Sequence, residues 1–258
     1  MAGITGKTPS VTYKDLLKIE NTNRGVDDTL RQIESGDGTG SALYIEKNST
    51  KIMPTDDDTA LLDVQDKSGS SKFKVDTTND LVYALGHKVN TQFAYFAANS
   101  TSHATFLANT HHPIGFQNAV RPTTVSIGTG TDPDTSYTIS STADDLTNSL
   151  MYLPANITVE SVNVFLGADA SSGDTTRFHL MSYDIDTANG STGGDLSNGT
   201  VIADGADISG DGYEQIYYQS MTVQSADVNS GKVLLFIMRS DSVNSDYAVH
   251  ATVKYTLR

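Results

Sequence analysis

Short alternating segments separated by polar turns fill residues 60–88, and they constrain the fold of this 258-residue chain more than any other feature. Apolar and polar residues alternate at Leu62-Val64, Phe73-Val75 and Leu81-Tyr83, which predicts three short, half-buried β-strands. Each predicted strand offers only two or three apolar side chains to one face. Because so thin a meander cannot bury enough surface to be stable alone, we expect residues 41–90 to form a β-stalk that packs against copies of itself as a homotrimer.

The sequence from residue 120 to residue 258 predicts a β-sandwich. Long alternating segments are joined by loops rich in Gly, Asp, Asn and Ser, which is typical of a jelly roll. The run 232–239 is apolar at nearly every position and is expected to be a central strand covered on both faces. The run 157–166 is also expected near the centre, and the loop Thr187–Gly199 is expected to tolerate change. The predicted strands are 123–127, 136–141, 148–153, 157–166, 176–184, 199–203, 214–224, 232–239 and 247–257.

Residues 1–40 show only small apolar patterns and predict an attachment segment. One pattern lies between residues 16 and 19, and Val26, Leu30 and Ile33 recur at helical spacing. Asp27 and Asp28 would lie in the first turn of this second pattern, where a helix favours acidic side chains, so a short helix is expected. A segment without its own core gains order by binding. The residues expected to mediate attachment are Leu16, Leu17, Val26, Leu30 and Ile33.

Residues 91–119 differ from both neighbouring regions and are interpreted as a connector. They contain strand-like runs at 92–96 and 104–107 and three of the six histidines of the chain. The expected organisation is therefore all-β. A short N-terminal anchor and a β-stalk precede the connector, and a C-terminal jelly-roll-like β-sandwich follows it.

The charge of the chain restricts its partners. The formal net charge is −14, and residues 119–258 contain 17 acidic and 6 basic side chains. Because an acidic surface repels phosphate backbones, we expect no nucleic-acid partner. The absence of cysteine excludes disulfides and thiolate metal sites. No run approaches 18 consecutive apolar residues, so no membrane insertion is expected.

Two sequence patterns contain candidate metal ligands. One of the adjacent residues His111 and His112 could bind an ion around a threefold axis, although a structural or solvated pair is the commoner outcome. Adjacent side chains on a strand point to opposite faces, so the two cannot easily share one ion. The segment 207–214 resembles the first half of a calcium loop, but the position of the bidentate Glu is Tyr218. Two interpretations of this segment remain: a simpler calcium site that uses Asp207 and Asp211, with Glu214 as a further candidate ligand, or a turn-rich hairpin tip.

Several tyrosines of the predicted sandwich are candidates for sugar contacts. Tyr213, Tyr217 and Tyr218, together with Tyr183 and Tyr247, could form exposed aromatic platforms, or they could pack within strands. For catalysis, the sequence contains neither a nucleophile elbow nor a His-Glu-x-x-His motif. We therefore expect no catalytic residue and no cofactor.

The N-terminal half resembles virion proteins of tailed bacteriophages. The runs 21–30 and 36–43 resemble the N-terminal attachment regions of phage fibre and appendage proteins. The segment 61–86 is similar to the units of their trimeric stalks, with Asn79-Asp80 where those units usually have Gly, a change that Asn tolerates at positive φ. The predicted sandwich is similar in architecture to the jelly-roll heads of virion fibres and capsid decoration proteins.

This resemblance implies a non-enzymatic structural protein of the virion. It would be assembled in the host cytoplasm, exposed on the extracellular particle and bound through its N terminus to capsid or tail proteins. The alternative is a receptor-binding tail-fibre head that recognises host glycans. A third class, a polysaccharide depolymerase, would require catalytic groups that the sequence does not display.

Overall fold

The computed structural model describes residues 17–19, 25–98, 107–117, 125–168, 171–242 and 247–258. The chain divides into two compact units, Met1–Val89 and Asn90–Arg258, called here the N-terminal unit and the head. The described residues form nineteen strands and one short helix, which confirms the predicted all-β class. None of the helices among these residues is long and apolar enough to cross a membrane.

The N-terminal unit contains two antiparallel sheets of four strands each, and in both sheets the strands follow one another along the chain. Because consecutive strands are neighbours, each sheet has the order of a simple meander. The first sheet comprises β1 (Leu17–Ile19), β2 (Arg31–Ser35), β3 (Gly40–Ile45) and β4 (Thr50–Ile52), and the second comprises β5 (Leu62–Gln65), β6 (Ser71–Asp76), β7 (Leu81–Ala84) and β8 (His87–Lys88).

The second sheet confirms the three strands predicted between residues 62 and 83. In the third strand, however, Tyr83 lies on the face opposite Phe73 and Val75. Val64 pairs with Phe73, and Phe73 pairs with Ala84, so the apolar face continues onto β7 through Val82 and Ala84. Tyr83 lies on the opposite face, where Lys74 Nζ is 4.5 Å from its ring centroid. Most apolar side chains of this sheet therefore share one face, whereas Leu81 and Tyr83 lie on the other.

The turn between β6 and β7 keeps a left-handed residue, but at a different position from the one expected. Asp80, and not Asn79, has a positive φ of 55°. Asn79 instead donates hydrogen bonds from its backbone and side-chain nitrogens to the Asp76 carboxylate, at 3.0 to 3.1 Å. The Asx-type contact holds the turn, and the aspartate adopts the strained conformation.

The short helix predicted at Val26–Ile33 is wrong. Residues 25–30 form bends, and Ile33 lies in β2, where it pairs with Ile19. Asp27 accepts a hydrogen bond from the backbone nitrogen of Thr29 at 2.9 Å and pairs with Arg31 at 3.1 Å. These local contacts stabilise a turn, and pairing with β1 and β3 then outweighs a helical pattern of little more than two turns.

The head contains eleven strands and helix α1 (Ala143–Thr147) among its described residues. Its strands are long where the sequence alternates over many residues, as in β12, β13 and β19. They are β9 (Thr91–Ala98), β10 (Thr110–Ile114), β11 (Leu150–Tyr152), β12 (Ile157–Ala168), β13 (Ser172–Ile185), β14 (Leu196–Asp204), β15 (Ile208–Asp211), β16 (Gln215–Val223), β17 (Asp227–Val228), β18 (Lys232–Ser240) and β19 (Tyr247–Leu257).

Eight of these strands have the connectivity of a jelly roll, which confirms the predicted fold. Layer A has the order β10-β18-β13-β14, and layer B has the order β16-β12-β19-β9. Numbered one to eight along the chain, the strands run 2-7-4-5 in layer A and 6-3-8-1 in layer B, the double Greek key of a jelly roll. The layers join where β14 pairs with β16. They join again where Ala97 N donates to Gly115 O at 2.9 Å.

The predicted connector at 91–119 and the head boundary at residue 120 are wrong. Strand β9 pairs with β19 along eight residues, and β10 pairs with β18 along five. These two strands are the first and second strands of the jelly roll, so residues 120–258 alone would lack one strand from each layer. The error arose because β10, with two histidines and Pro113, does not have the composition of a typical strand.

The apolar core lies between the two layers. On β18, Leu234, Phe236 and Met238 point inward and are buried. The Phe236 ring lies 5.8 Å from the ring of Phe96 in layer B and 5.6 Å from the ring of Phe178 in layer A. Strands β12 and β18 both have neighbours on each side, which confirms the predicted central placement of 157–166 and 232–239.

A second apolar cluster covers the outer surface of layer A. The alternate residues of β18, Val233, Leu235 and Ile237, pack there against the segment that contains Val125 and Leu146. Strand β18 is therefore buried on both faces, as its sequence predicted. The strands predicted at 123–127 and 136–141 are not formed among the described residues, apart from a bridge between Tyr137 and Leu196. Residues 123 and 124 lie outside the described residues.

We expect the substitution Phe236→Ala to lower the free energy of unfolding of the head by about 3–5 kcal/mol, because it removes buried contacts and leaves a cavity. Ser191→Ala in the exposed loop should change it by less than about 0.5 kcal/mol. Denaturant unfolding of the two variants measures both values. A larger loss in the loop variant would show that the core lies elsewhere.

Candidate functional site

The outer surface of layer B carries a group of exposed aromatic side chains. Along each strand of this layer the inward residues are buried, so the alternate residues project outward. Phe165 on β12 remains 46% exposed, and Tyr218 on β16 remains 61% exposed. We call the following five residues the aromatic face: Phe93, Tyr95, Phe165, Tyr218 and His250.

The aromatic face extends across all four strands of the layer. Phe165 is in register with Tyr218 on one side and with His250 on the other. The rings of Phe165 and Tyr218 are 5.2 Å apart, and those of Tyr95 and His250 are 6.0 Å apart. With strands about 4.8 Å apart, the rings cover roughly 14 Å from β9 to β16. Two ring contacts, together with the register of Phe165 and His250, therefore place aromatic side chains on all four strands of the layer.

Neutral polar groups border these rings, and charge is nearly absent. The Tyr218 hydroxyl donates a hydrogen bond to Asn163 Oδ1 at 2.9 Å. The four strands of layer B contain only two charged residues, Glu160 and Lys254, whose charged atoms are 2.7 Å apart. Since the head as a whole is strongly acidic, this neutral surface is distinct from the rest of the molecule. Its chemistry suits stacking against a neutral ring or burial against an apolar partner.

The structure separates the tyrosines that were predicted to contact sugars. Tyr213 at the hairpin tip is 72% exposed, and Tyr218 belongs to the aromatic face. Tyr217 points to the opposite side of β16, where its hydroxyl donates to Asp211 Oδ1 at 3.0 Å. Tyr183 and Tyr247 are buried, so their proposed role in an exposed platform is wrong. Burial raises the pKa of the Tyr183 hydroxyl, which donates to Asp134 O at 2.8 Å.

The candidate calcium ligands Asp207 and Asp211 are occupied by separate protein partners. Asp207 pairs with Arg177 at 3.5 Å. Asp211 accepts a hydrogen bond from Gln215 Nε2 at 2.6 Å, and this contact is the first cause that lowers the pKa of its carboxyl group. Within the described parts of the chain, no three His, Asp or Glu side chains form a group able to hold a metal ion.

The histidine pair is buried in the head, and its contacts are structural. His112 Nδ1–H donates to Val125 O at 2.8 Å, while His112 Nε2 accepts from Leu107 N at 3.1 Å. His111 Nε2–H donates to Gly130 O at 3.1 Å. Each ring thus hydrogen-bonds to backbone groups through at least one nitrogen. These bonds fix chain segments that come before and after β10 in the sequence. This arrangement favours the structural interpretation of His111 over the ion site.

His111 belongs to a buried polar cluster that the sequence did not reveal. Its ring centroid is 5.1 Å from that of His179. His179 Nε2 is 3.2 Å from Asp204 Oδ1 and 3.4 Å from Asp132 Oδ1. Arg177 holds the Asp204 carboxylate through two hydrogen bonds of 2.6 and 3.1 Å. Burial lowers the pKa of His111 to about 4, and burial is also the first cause of a lowered pKa at His179.

The depressed pKa of His111 predicts that the head loses stability as the pH falls. Unfolded histidine has a pKa of about 6.5, so between pH 6.5 and 4 the unfolded chain binds the proton that the folded head excludes. Stability is therefore complete above pH 6.5 and decreases below it. We expect His111 alone to contribute a loss of about 2 kcal/mol between pH 7.5 and pH 5.

Denaturant unfolding at several pH values measures this effect. The variant His111→Gln should show a shallower pH dependence by about that amount. The matched variant Ile237→Val, buried nearby without a titrating group, should lower stability by about 0.5–1.5 kcal/mol at every pH. An unchanged pH slope in His111→Gln would contradict the assignment.

The predicted attachment residues lie on the surface of the N-terminal unit wherever they are described. Leu17 in β1 is 76% exposed, and Val26 and Leu30 are exposed in the segment before β2. Ile33 is partly buried in β2. Leu16 lies outside the described residues. The exposed apolar residues are therefore available to a partner, although the helix that was expected to present them is not formed.

Sequence reasoning missed most of the aromatic face. Phe93 and Tyr95 were assigned to a connector, and Phe165 and His250 were treated only as strand residues. The available signal was the run Phe93-Ala94-Tyr95-Phe96, in which both the inward and the outward positions are apolar. A strand with one solvated face normally alternates apolar and polar residues, so this run indicates an outer face that is also covered or binds something.

Comparison with known proteins yields little. No protein-family model matches the chain, and no curated protein sequence is significantly similar to it. One solved structure with a weak likeness is the endo-1,4-β-D-xylanase 10B of Clostridium thermocellum, as CBM22-1 and GH10 modules complexed with xylohexaose. Identity is 12% and the TM-score is 0.25, and the match covers 64% of this chain and 26% of the xylanase chain. At that TM-score the likeness supports no inference about this protein.

Proposed function

We propose that this protein is a non-enzymatic structural protein of a bacteriophage virion. It assembles as a homotrimer through the N-terminal unit, attaches to capsid or tail proteins through its N-terminal segment and projects an acidic jelly-roll head. The virion assignment rests on the sequence resemblance of residues 21–86 to phage appendage proteins. The oligomeric assignment rests on the structure of the N-terminal unit.

The observation that carries the proposal is the absence of a core in the described part of the N-terminal unit. There, no hydrophobic side chain is buried, and Asp76 is the only buried residue. In the head, by contrast, two apolar clusters are fully enclosed. A four-stranded meander with one uncovered apolar face is marginally stable in water. Covering that face with other copies supplies the missing core.

The apolar face of β5, β6 and β7 has the properties of a self-association surface. Val64 and Phe73 are paired across the strands, and they are 50% and 39% exposed. Leu62 and Val75 form the next pair on the same face and are only partly buried. Three such faces around one axis would bury each other, in the trimeric arrangement that the resemblance to phage stalks implies.

We expect light scattering of the intact protein at micromolar concentration to give about 83 kDa, three times the 27.6 kDa chain mass. In Phe73→Ser the midpoint concentration for dissociation should rise at least about tenfold, since every copy loses a buried contact. Lys67→Ser, in the exposed turn after β5, should leave the midpoint unchanged. A monomeric mass of the unmodified protein would refute the trimer.

Attachment is expected to depend on the first sheet. Removal of residues 1–40 would cut this sheet between β2 and β3, so removal of residues 1–53 is the cleaner test. The shortened protein should remain trimeric by light scattering, because β5–β8 are intact, but it should be missing from purified particles. Normal incorporation would place the anchor elsewhere in the chain.

Glycan recognition by the head is the second candidate function. It is favoured by one specific observation, the exposed ring of Tyr218 hydrogen-bonded to the neutral Asn163 side chain, with Tyr213 also exposed at the hairpin tip. Three heads on one stalk would give avidity to a weak sugar site. On this alternative the protein is a receptor-binding fibre, and the trimeric stalk retains the same role.

A further inference from the structure

We propose that the aromatic face of layer B is the contact surface between the heads within the trimer, so that its occupant is a second copy of this chain. The inference rests on the proposed trimer and adds a second interface to it. Exposed apolar patches of this kind mark interaction surfaces on soluble proteins. Tyr and Phe are enriched and charged residues are depleted at the centres of such interfaces, as on this face.

Chain connectivity points to another head as the partner. Leu85 and Val89, at the end of the N-terminal unit, are 73% and 58% exposed, so the uncovered apolar residues continue to the last residue of that unit. Phe93 follows Val89 by four residues, and such a segment extends at most about 14 Å. In a trimer joined through the N-terminal units, the three copies of Phe93 are therefore confined near one another.

The charge distribution of the head favours layer B as the contact surface between heads. Residues 119–258 carry a net charge of −11, so like-charged loops on neighbouring heads repel each other. Layer B avoids this repulsion, because its strands contain only the internally paired Glu160 and Lys254. A neutral aromatic surface on an acidic head can meet its own copy without the burial of an unpaired charge.

The size of the surface explains why the stalk is needed. Four strands about 4.8 Å apart, over about six residues of 3.3 Å each, give an area of roughly 400 Å². Stable protein interfaces bury about 800 Å² on each partner. The heads should therefore associate weakly by themselves and firmly when the stalk raises their effective concentration.

Cysteine labelling in the intact protein tests the proposal, since the natural chain has no cysteine. Ser220→Cys places one thiol on β16 two residues from Tyr218, on the same outward side. Ser197→Cys places one on β14 in layer A, also at an exposed position. In the trimer we expect Ser220→Cys to react with a maleimide at least tenfold more slowly than Ser197→Cys. Adding Phe73→Ser and diluting the protein below the raised dissociation midpoint should make the two rates equal.

The outcomes separate the two claims. A trimeric mass with equal labelling rates would overturn the head contact and leave the proposed function standing. A monomeric mass would overturn the proposed function itself, and the head contact with it. If the trimer binds to a glycan array, loses that binding in Phe165→Ser and labels freely at Ser220→Cys, the occupant is a sugar and the proposal is wrong.

Discussion

A β-sheet persists in water only if at least one of its faces is covered, and this requirement divides the chain into two kinds of structure. In the head, layers A and B cover each other, and the segment that contains α1 covers the outside of layer A. In the N-terminal unit, neither sheet has a buried hydrophobic residue among its described residues. The described part of the head thus contains its own apolar core, whereas the described part of the N-terminal unit does not, and this difference is the ground for the proposed assembly.

The two outer surfaces of the head differ in whether other residues cover them. The outer surface of layer A is closed by Val125, Leu146 and their neighbours. The outer surface of layer B has no such cover among the described residues, although Phe165 and Tyr218 project from it. Among the described residues, the apolar face of β5–β7 and the aromatic face are both uncovered, and they lie before and after Val89 in the sequence. The proposed threefold assembly would cover both.

Much of this fold could be predicted from the sequence, because long strands repeat their pattern many times. The run 232–239 specified both its strand and its burial on both faces. The alternation at Val125 and Ile127 correctly indicated burial, but these residues cover a sheet and do not form a strand of it. An alternating pattern does not distinguish a covering segment from a paired strand. The helix predicted around Leu30 failed because three residues at helical spacing are too few to outweigh strand pairing. The cluster around His179 could not be foreseen, since it joins residues distant in sequence.

In the proposed assembly, the N-terminal unit is ordered by contacts between copies, whereas the head is ordered by its own core. Hydrogen exchange followed by mass spectrometry, at protein concentrations above and below trimer dissociation, tests it most directly. We expect the amides of β12 and β18 to be equally protected at both concentrations, and the amides of β5–β7 to lose protection on dilution. Full protection of β5–β7 in a protein that is monomeric by mass would contradict it.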